Sequence, residues 1–113
     1  MAEVNGDGPL AGTVAMVTGA SRGIGRAIVR KLASAGSDVA AVYYSSHDEA
    51  ESLCAEIQAR GRKACALQGN VASPESLDEV FQGFRKSFDK LDLLISNAAS
   101  GVLKPALEMT VKH

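Results

Sequence analysis

Between residues 18 and 25 the chain reads Thr18-Gly19-Ala20-Ser21-Arg22-Gly23-Ile24-Gly25, and the hydrophobic period changes across this stretch. Before it, Thr13-Val14-Ala15-Met16-Val17-Thr18 is a short, nearly continuous apolar run, the pattern of a strand covered on both faces. After it, Ile24, Ala27/Ile28, Lys31/Leu32 and Ala35 share one helical face, and Gly36 stands where a C-terminal cap belongs. A strand that turns through glycines into a helix is the first half of a parallel crossover.

The same cadence then recurs. Val39-Ala40-Ala41-Val42-Tyr43-Tyr44 reads as a second strand, and Ser46 with Glu49 three residues on fits a capping box opening a second helix. That helix turns Ala50, Leu53/Cys54 and Ile57 inward and ends near Gly61. Ala64-Cys65-Ala66-Leu67 is a third strand, and Ser73-Pro74-Glu75 is a helix start with an N-cap serine and a proline at the first helical position. Leu77, Phe81, Phe84 and Phe88 mark its apolar face, and Leu91-Asp92-Leu93-Leu94-Ile95-Ser96 is a fourth strand. The order β-α-β-α-β-α-β with right-handed crossovers predicts an all-parallel, doubly wound α/β sheet.

Composition narrows the function classes. With 12 Lys plus Arg against 13 Asp plus Glu, the net charge is −1, so no overall field draws the chain to nucleic acid or anionic lipid. Aromatic residues are only 4% of the chain, which argues against a stacking platform for single strands. No apolar run approaches the roughly 20 residues of a membrane span. The start, Met1-Ala2-Glu3-Val4-Asn5-Gly6-Asp7-Gly8-Pro9, has no basic n-region, no apolar h-region and two acids, so neither a secretory signal nor a transit peptide is expected. Cys54 and Cys65 fit no metal spacing and no disulfide framework, and read as small core residues of a cytoplasmic protein. His47 and His113 have no acid–serine or metal partner in sequence reach. Residues 1–10 read as a flexible leader and 11–113 as part of one domain.

The glycine turn carries the chemistry. A phosphate approaches a helix N-terminus because unpaired N–H groups point at it and the dipole there is positive. Gly19 and Gly23 would permit the tight turn and close passage of backbone to a pyrophosphate, and Gly25 would let the helix pack against the strands. At these residues the chain resembles the short-chain dehydrogenase/reductase family, whose loop is Thr-Gly-x-x-x-Gly-x-Gly. Two further family motifs follow in order. Asn70-Val71 corresponds to the Asp-Val or Asn-Val pair after the third strand, and Ser96-Asn97-Ala98-Ala99 is an altered Asn-Asn-Ala-Gly after the fourth.

The resemblance implies a Rossmann fold truncated after the fourth strand, with a nicotinamide dinucleotide as cofactor. The cofactor-contacting set it implies is Gly19, Ser21, Arg22, Gly23, Ile24, Gly25, Tyr44, Asn70, Val71, Asn97, Ala98 and Ala99. An NAD-selective site places an acid at the end of the second strand, about 20 residues beyond the glycines. Here that stretch is Tyr43-Tyr44-Ser45-Ser46, with Asp38 too early and Asp48 and Glu49 inside the next helix. Arg22 can pair with a 2′-phosphate by charge-assisted hydrogen bonds, so NADP(H) is the expected cofactor.

Family reductases use a serine, a tyrosine and a lysine beyond the fourth strand. The tyrosines here are Tyr43 and Tyr44, neither with a lysine at a family spacing, so no catalytic residue is assigned. The 113 residues are therefore expected to be the N-terminal, cofactor-binding part of a protein of about 250 residues, inactive alone. The resemblance implies hydride transfer to a small-molecule or acyl-carrier-protein-linked substrate in fatty-acid synthesis. Ala99 in place of glycine leans toward an enoyl rather than a 3-oxoacyl thioester, and the parent is expected to be a homotetramer. The alternatives are a non-catalytic NADP-binding module, or a short product that pairs its open fourth strand with a full-length partner.

Overall fold

The computed structural model describes residues 8–97. Strands β1 (Val14–Thr18), β2 (Asp38–Tyr43), β3 (Ala64–Gln68) and β4 (Leu93–Ile95) alternate with helices α1 (Gly23–Ser34), α2 (His47–Ala59) and α3 (Pro74–Ser87). Among the described residues the strands form one parallel sheet in the order β3-β2-β1-β4. Val17 lies opposite both Ala41 and Ile95, which makes β1 an interior strand.

The unbroken apolar runs of β1 and β2 follow from having a layer on each side. Val17, Val39 and Ala41 pack with Val29 and Ala33 of α1 and with Leu53, Cys54 and Ile57 of α2. Val14, Met16, Ala40 and Val42 point the other way, onto Val80 and Phe84 of α3 and onto Phe88. Burying a side chain the size of Leu53 contributes about 1.5–3 kcal/mol. Cys54 and Cys65 belong to opposite faces, and burial pushes the Cys54 thiol up to about 12, as befits a packing residue.

Both glycine stops form where the sequence places them. At the end of α1, Gly36 has φ 109° and donates its N–H to Ala33 O, while Ser37 N donates to Leu32 O. Gly61 (φ 88°) ends α2 in the same way, with Gly61 N to Gln58 O and Arg62 N to Ile57 O. This double bond pattern satisfies carbonyls that the helix leaves open.

Three expectations shift. The inward face of α1 is Gly25, Val29 and Ala33, flanked by Ile28 and Leu32, and not the line through Ile24 and Ala27. Ile24 is 72% exposed, because close approach of Gly25 to the first loop rotates the helix by one position. Ser46 makes no side-chain cap bond, since its φ of −93° and ψ of 66° are not the extended geometry a capping box needs. Strand β4 is shorter than its apolar run: Asp92 is spent bonding Val14, and Leu91 lies exposed before it.

Candidate functional site

The residues singled out in the sequence gather along one edge of the sheet. Asn70 and Val71 follow β3, Tyr44 follows β2, the glycine loop follows β1, and Asn97 follows β4. That row spans three interstrand steps of about 4.8 Å. The chain leaves β1 toward β2 on one side, while β4 pairs on the other, so the glycine loop stands at the topological switch point. Open α/β sheets bind ligands there. Ala98 and Ala99 fall outside the described residues.

The three loop glycines do different jobs. Gly19 (φ 64°) and Gly23 (φ 60°) are both in the left-handed region, which only glycine enters freely. A Cβ on Gly25 would lie 2.0 Å from the Gly19 carbonyl oxygen and 2.8 Å from Asn97 Nδ2, so Gly25 is demanded by packing. A Cβ on Gly23 would meet nothing within 4 Å, so Gly23 keeps space open in front of the helix.

That helix start is bare. Arg22, at the N-cap position, is extended (φ −143°, ψ 165°) and makes no side-chain cap bond, and no acid occupies the first turn. In contrast, Ser73 caps α3 by accepting from Ser76 N, and Pro74 removes one donor outright. No side chain caps the first-turn N–H groups of α1, which stand at the positive end of the helix dipole. The cradle kept clear by Gly23 suits a diphosphate, whose oxygens would satisfy those donors.

Around the loop, Asn97 acts as a tie. Its N–H donates to Thr18 Oγ1 at 2.9 Å and its Nδ2 donates to the Gly19 carbonyl at 3.3 Å, joining the ends of β4 and β1. Ser21 is buried, and its carbonyl accepts from Arg26 Nη1 at 3.2 Å. The same Nη1 donates to the Glu49 carbonyl at 2.9 Å, so Arg26 staples the loop to the first turn of α2. Arg22 is exposed, with its Nε 3.8 Å from Glu49 Oε1.

The second strand ends without a carboxylate on this edge. Tyr43 is turned inward, its hydroxyl 2.5 Å from His47 Nδ1, and burial pushes its pKa up. Tyr44 is 68% exposed, and its carbonyl accepts from Gln68 Nε2. Asn70 stands two strands from the loop and holds its own turn: Oδ1 accepts from Ala72 N at 3.0 Å, and its N–H donates to Ser76 Oγ at 2.7 Å.

Sequence reasoning missed Arg26 and Glu49. Arg26 carries no local signature, since its two acceptors are main-chain carbonyls 5 and 23 residues away. Glu49 did carry a signal, the three-residue spacing from Ser46, but it was that of a cap; the carboxylate instead reaches across to α1.

With this geometry in hand, a family model described as short chain dehydrogenase matches residues 13–113. The chain is 43% identical over 99 residues to a 3-oxoacyl-[acyl-carrier-protein] reductase of Staphylococcus epidermidis, covering 88% of this chain and 40% of that protein. A solved short-chain dehydrogenase/reductase from Serratia marcescens superposes with a TM-score of 0.78 at 40% identity, over 85% of this chain and 39% of its own. A blue fluorescent protein from a metagenomic library, solved in complex with NADPH, gives 0.75 at 39% identity, over 89% of this chain and 42% of its own. The chain thus spans about two-fifths of the relatives it matches.

Proposed function

The chain belongs to the short-chain dehydrogenase family, and from that premise we propose that it is the cofactor-binding part of an NADP(H)-dependent reductase. The observation that carries this reading is the uncapped start of α1 at the switch point, with Arg22 beside it and no acid closing β2. When bound, the nicotinamide supplies or takes a hydride. The chain's own work is to bind and orient. The α1 N–H groups and Gly23 receive the diphosphate, Gly19, Ser21, Ile24 and Gly25 shape the loop, and Arg22 meets the 2′-phosphate. Tyr44, Asn70 and Val71 border the adenosine half. Asn97, at the end of β4, also faces the cofactor, and the resemblance adds Ala98 and Ala99 to the contacts.

The parent enzyme acts on an acyl-carrier-protein-linked thioester in the cytoplasm. Similarity to a 3-oxoacyl reductase favours the 3-oxoacyl over the enoyl substrate, because the case for enoyl rested on Ala99 alone. Residues 11–113 are the first part of a single Rossmann domain, and the serine, tyrosine and lysine that deliver the proton come from sequence beyond it. The parent is a homotetramer. Among the described residues no helix is long and apolar enough to cross a membrane.

Fluorescence titration of the chain with NADPH and NADH tests the reading. Preference for NADPH, lost in Arg22→Gln, is expected; equal affinity for both would overturn it.

A further inference from the structure

The glycine loop and α2 meet through Arg22, Arg26 and Glu49, and of these the cofactor reading uses only Arg22. Arg26 fixes the Glu49 main chain by donating to its carbonyl at 2.9 Å, and holds the loop through the Ser21 carbonyl at 3.2 Å. Glu49 is thereby anchored beside the loop, and its carboxylate lies 3.8 Å from the Arg22 guanidinium. The two side chains are 71% and 52% exposed. An ion pair so exposed is easily exchanged, contributing at most about fivefold to an equilibrium.

We propose that Glu49 is a specificity-determining residue: its carboxylate is the counterion that a 2′-phosphate displaces from Arg22, and it holds down the preference for the phosphorylated dinucleotide. The proposal rests on Arg22 being the contact for that phosphate. Two effects run in the same direction. The ion pair with Arg22 is lost when the phosphate arrives, and the displaced carboxylate, tethered by Arg26, stays near a second anion. Other NAD-selecting acids sit at the end of the second strand; this one reaches the same neighbourhood from the helix after it.

The test is isothermal titration of the full chain with 2′,5′-ADP and with 5′-AMP, which differ only in the 2′-phosphate. In Glu49→Gln, 2′,5′-ADP should bind about two- to fivefold tighter and 5′-AMP unchanged, the gain shrinking at high salt. Glu49→Asp, which keeps the charge, should stay close to the parent. In an Arg22→Gln background the effect of Glu49→Gln should largely vanish. A Glu49→Gln chain whose affinity for 2′,5′-ADP is unchanged, or which gains equally for both ligands, overturns the proposal. If the unsubstituted chain already binds the two ligands alike, the role of Arg22 falls first and this proposal with it.

Discussion

The two ends of the sheet handle the same problem, open backbone groups at strand and helix termini, in opposite ways. At the N-terminal end of the strands, side chains close them. Asp92 Oδ2 accepts from Val14 N at 2.9 Å, Asp38 Oδ1 accepts from Lys63 N at 3.0 Å, and Lys90 and Lys63 donate to the carbonyls of Gly12 and Ser87. At the C-terminal end Ser73 still caps α3, but no side chain caps α1, and Gly23 leaves room in front of it. A cleft of about 460 Å³ lies at the closed end, lined by Asp38, Lys63, Lys86 and Lys90 among others. Several of its backbone groups, among them Val14 N, Lys63 N and the Gly12 and Ser87 carbonyls, are bonded by side chains of the chain itself. Concavity alone therefore does not tell the two ends apart; the uncapped start of α1 does.

The contrast can be broken most severely at Gly25. Gly25→Ala puts a Cβ against the Gly19 carbonyl, and should cost about 3 kcal/mol in urea unfolding and abolish dinucleotide binding. Next comes Arg22→Gln, expected to weaken NADPH by about 10- to 100-fold while leaving NADH and urea stability alone, as loss of one charge-assisted contact requires. Gly23→Ala should cost about 1–2 kcal/mol, because its φ of 60° is strained for alanine although nothing obstructs the methyl group. A parent-like stability would show that the left-handed turn relaxes.

At the closed end the effects are smaller and touch stability alone. The Val14 N–H, with help from Lys90, holds the Asp92 carboxyl below its ordinary value. A depressed folded pKa contributes stability that is present above the unfolded value, near 3.9, and is lost as the pH falls through the folded one. Asp92→Asn should therefore flatten the acid limb of the stability curve below about pH 4 and leave neutral-pH binding unchanged. Lys63→Met, which removes the cation 4.8 Å from the Phe88 ring, should cost only about 0.5–1 kcal/mol and leave NADPH affinity unmoved. A change in affinity there would mean that the two ends are coupled.

What could be read from residues alone was whatever depends on neighbours in the chain. Alternation of apolar runs with helical periods specified the parallel sheet, Gly36 and Gly61 specified where helices stop, and the glycine loop specified the turn from β1 into α1. Each of these is a local preference, expressed within a few residues of itself. The tertiary structure decided matters that depend on residues distant in sequence. It rotated α1 so that Gly25, Val29 and Ala33 face inward, because Gly25 has to clear the Gly19 carbonyl. It also turned Glu49 from a helix cap into the partner of Arg22, and made Asn97 a tie between β4 and β1. Side-chain hydrogen bonds and ion pairs act over a few ångströms and are indifferent to chain separation, so only folding could bring those groups within reach.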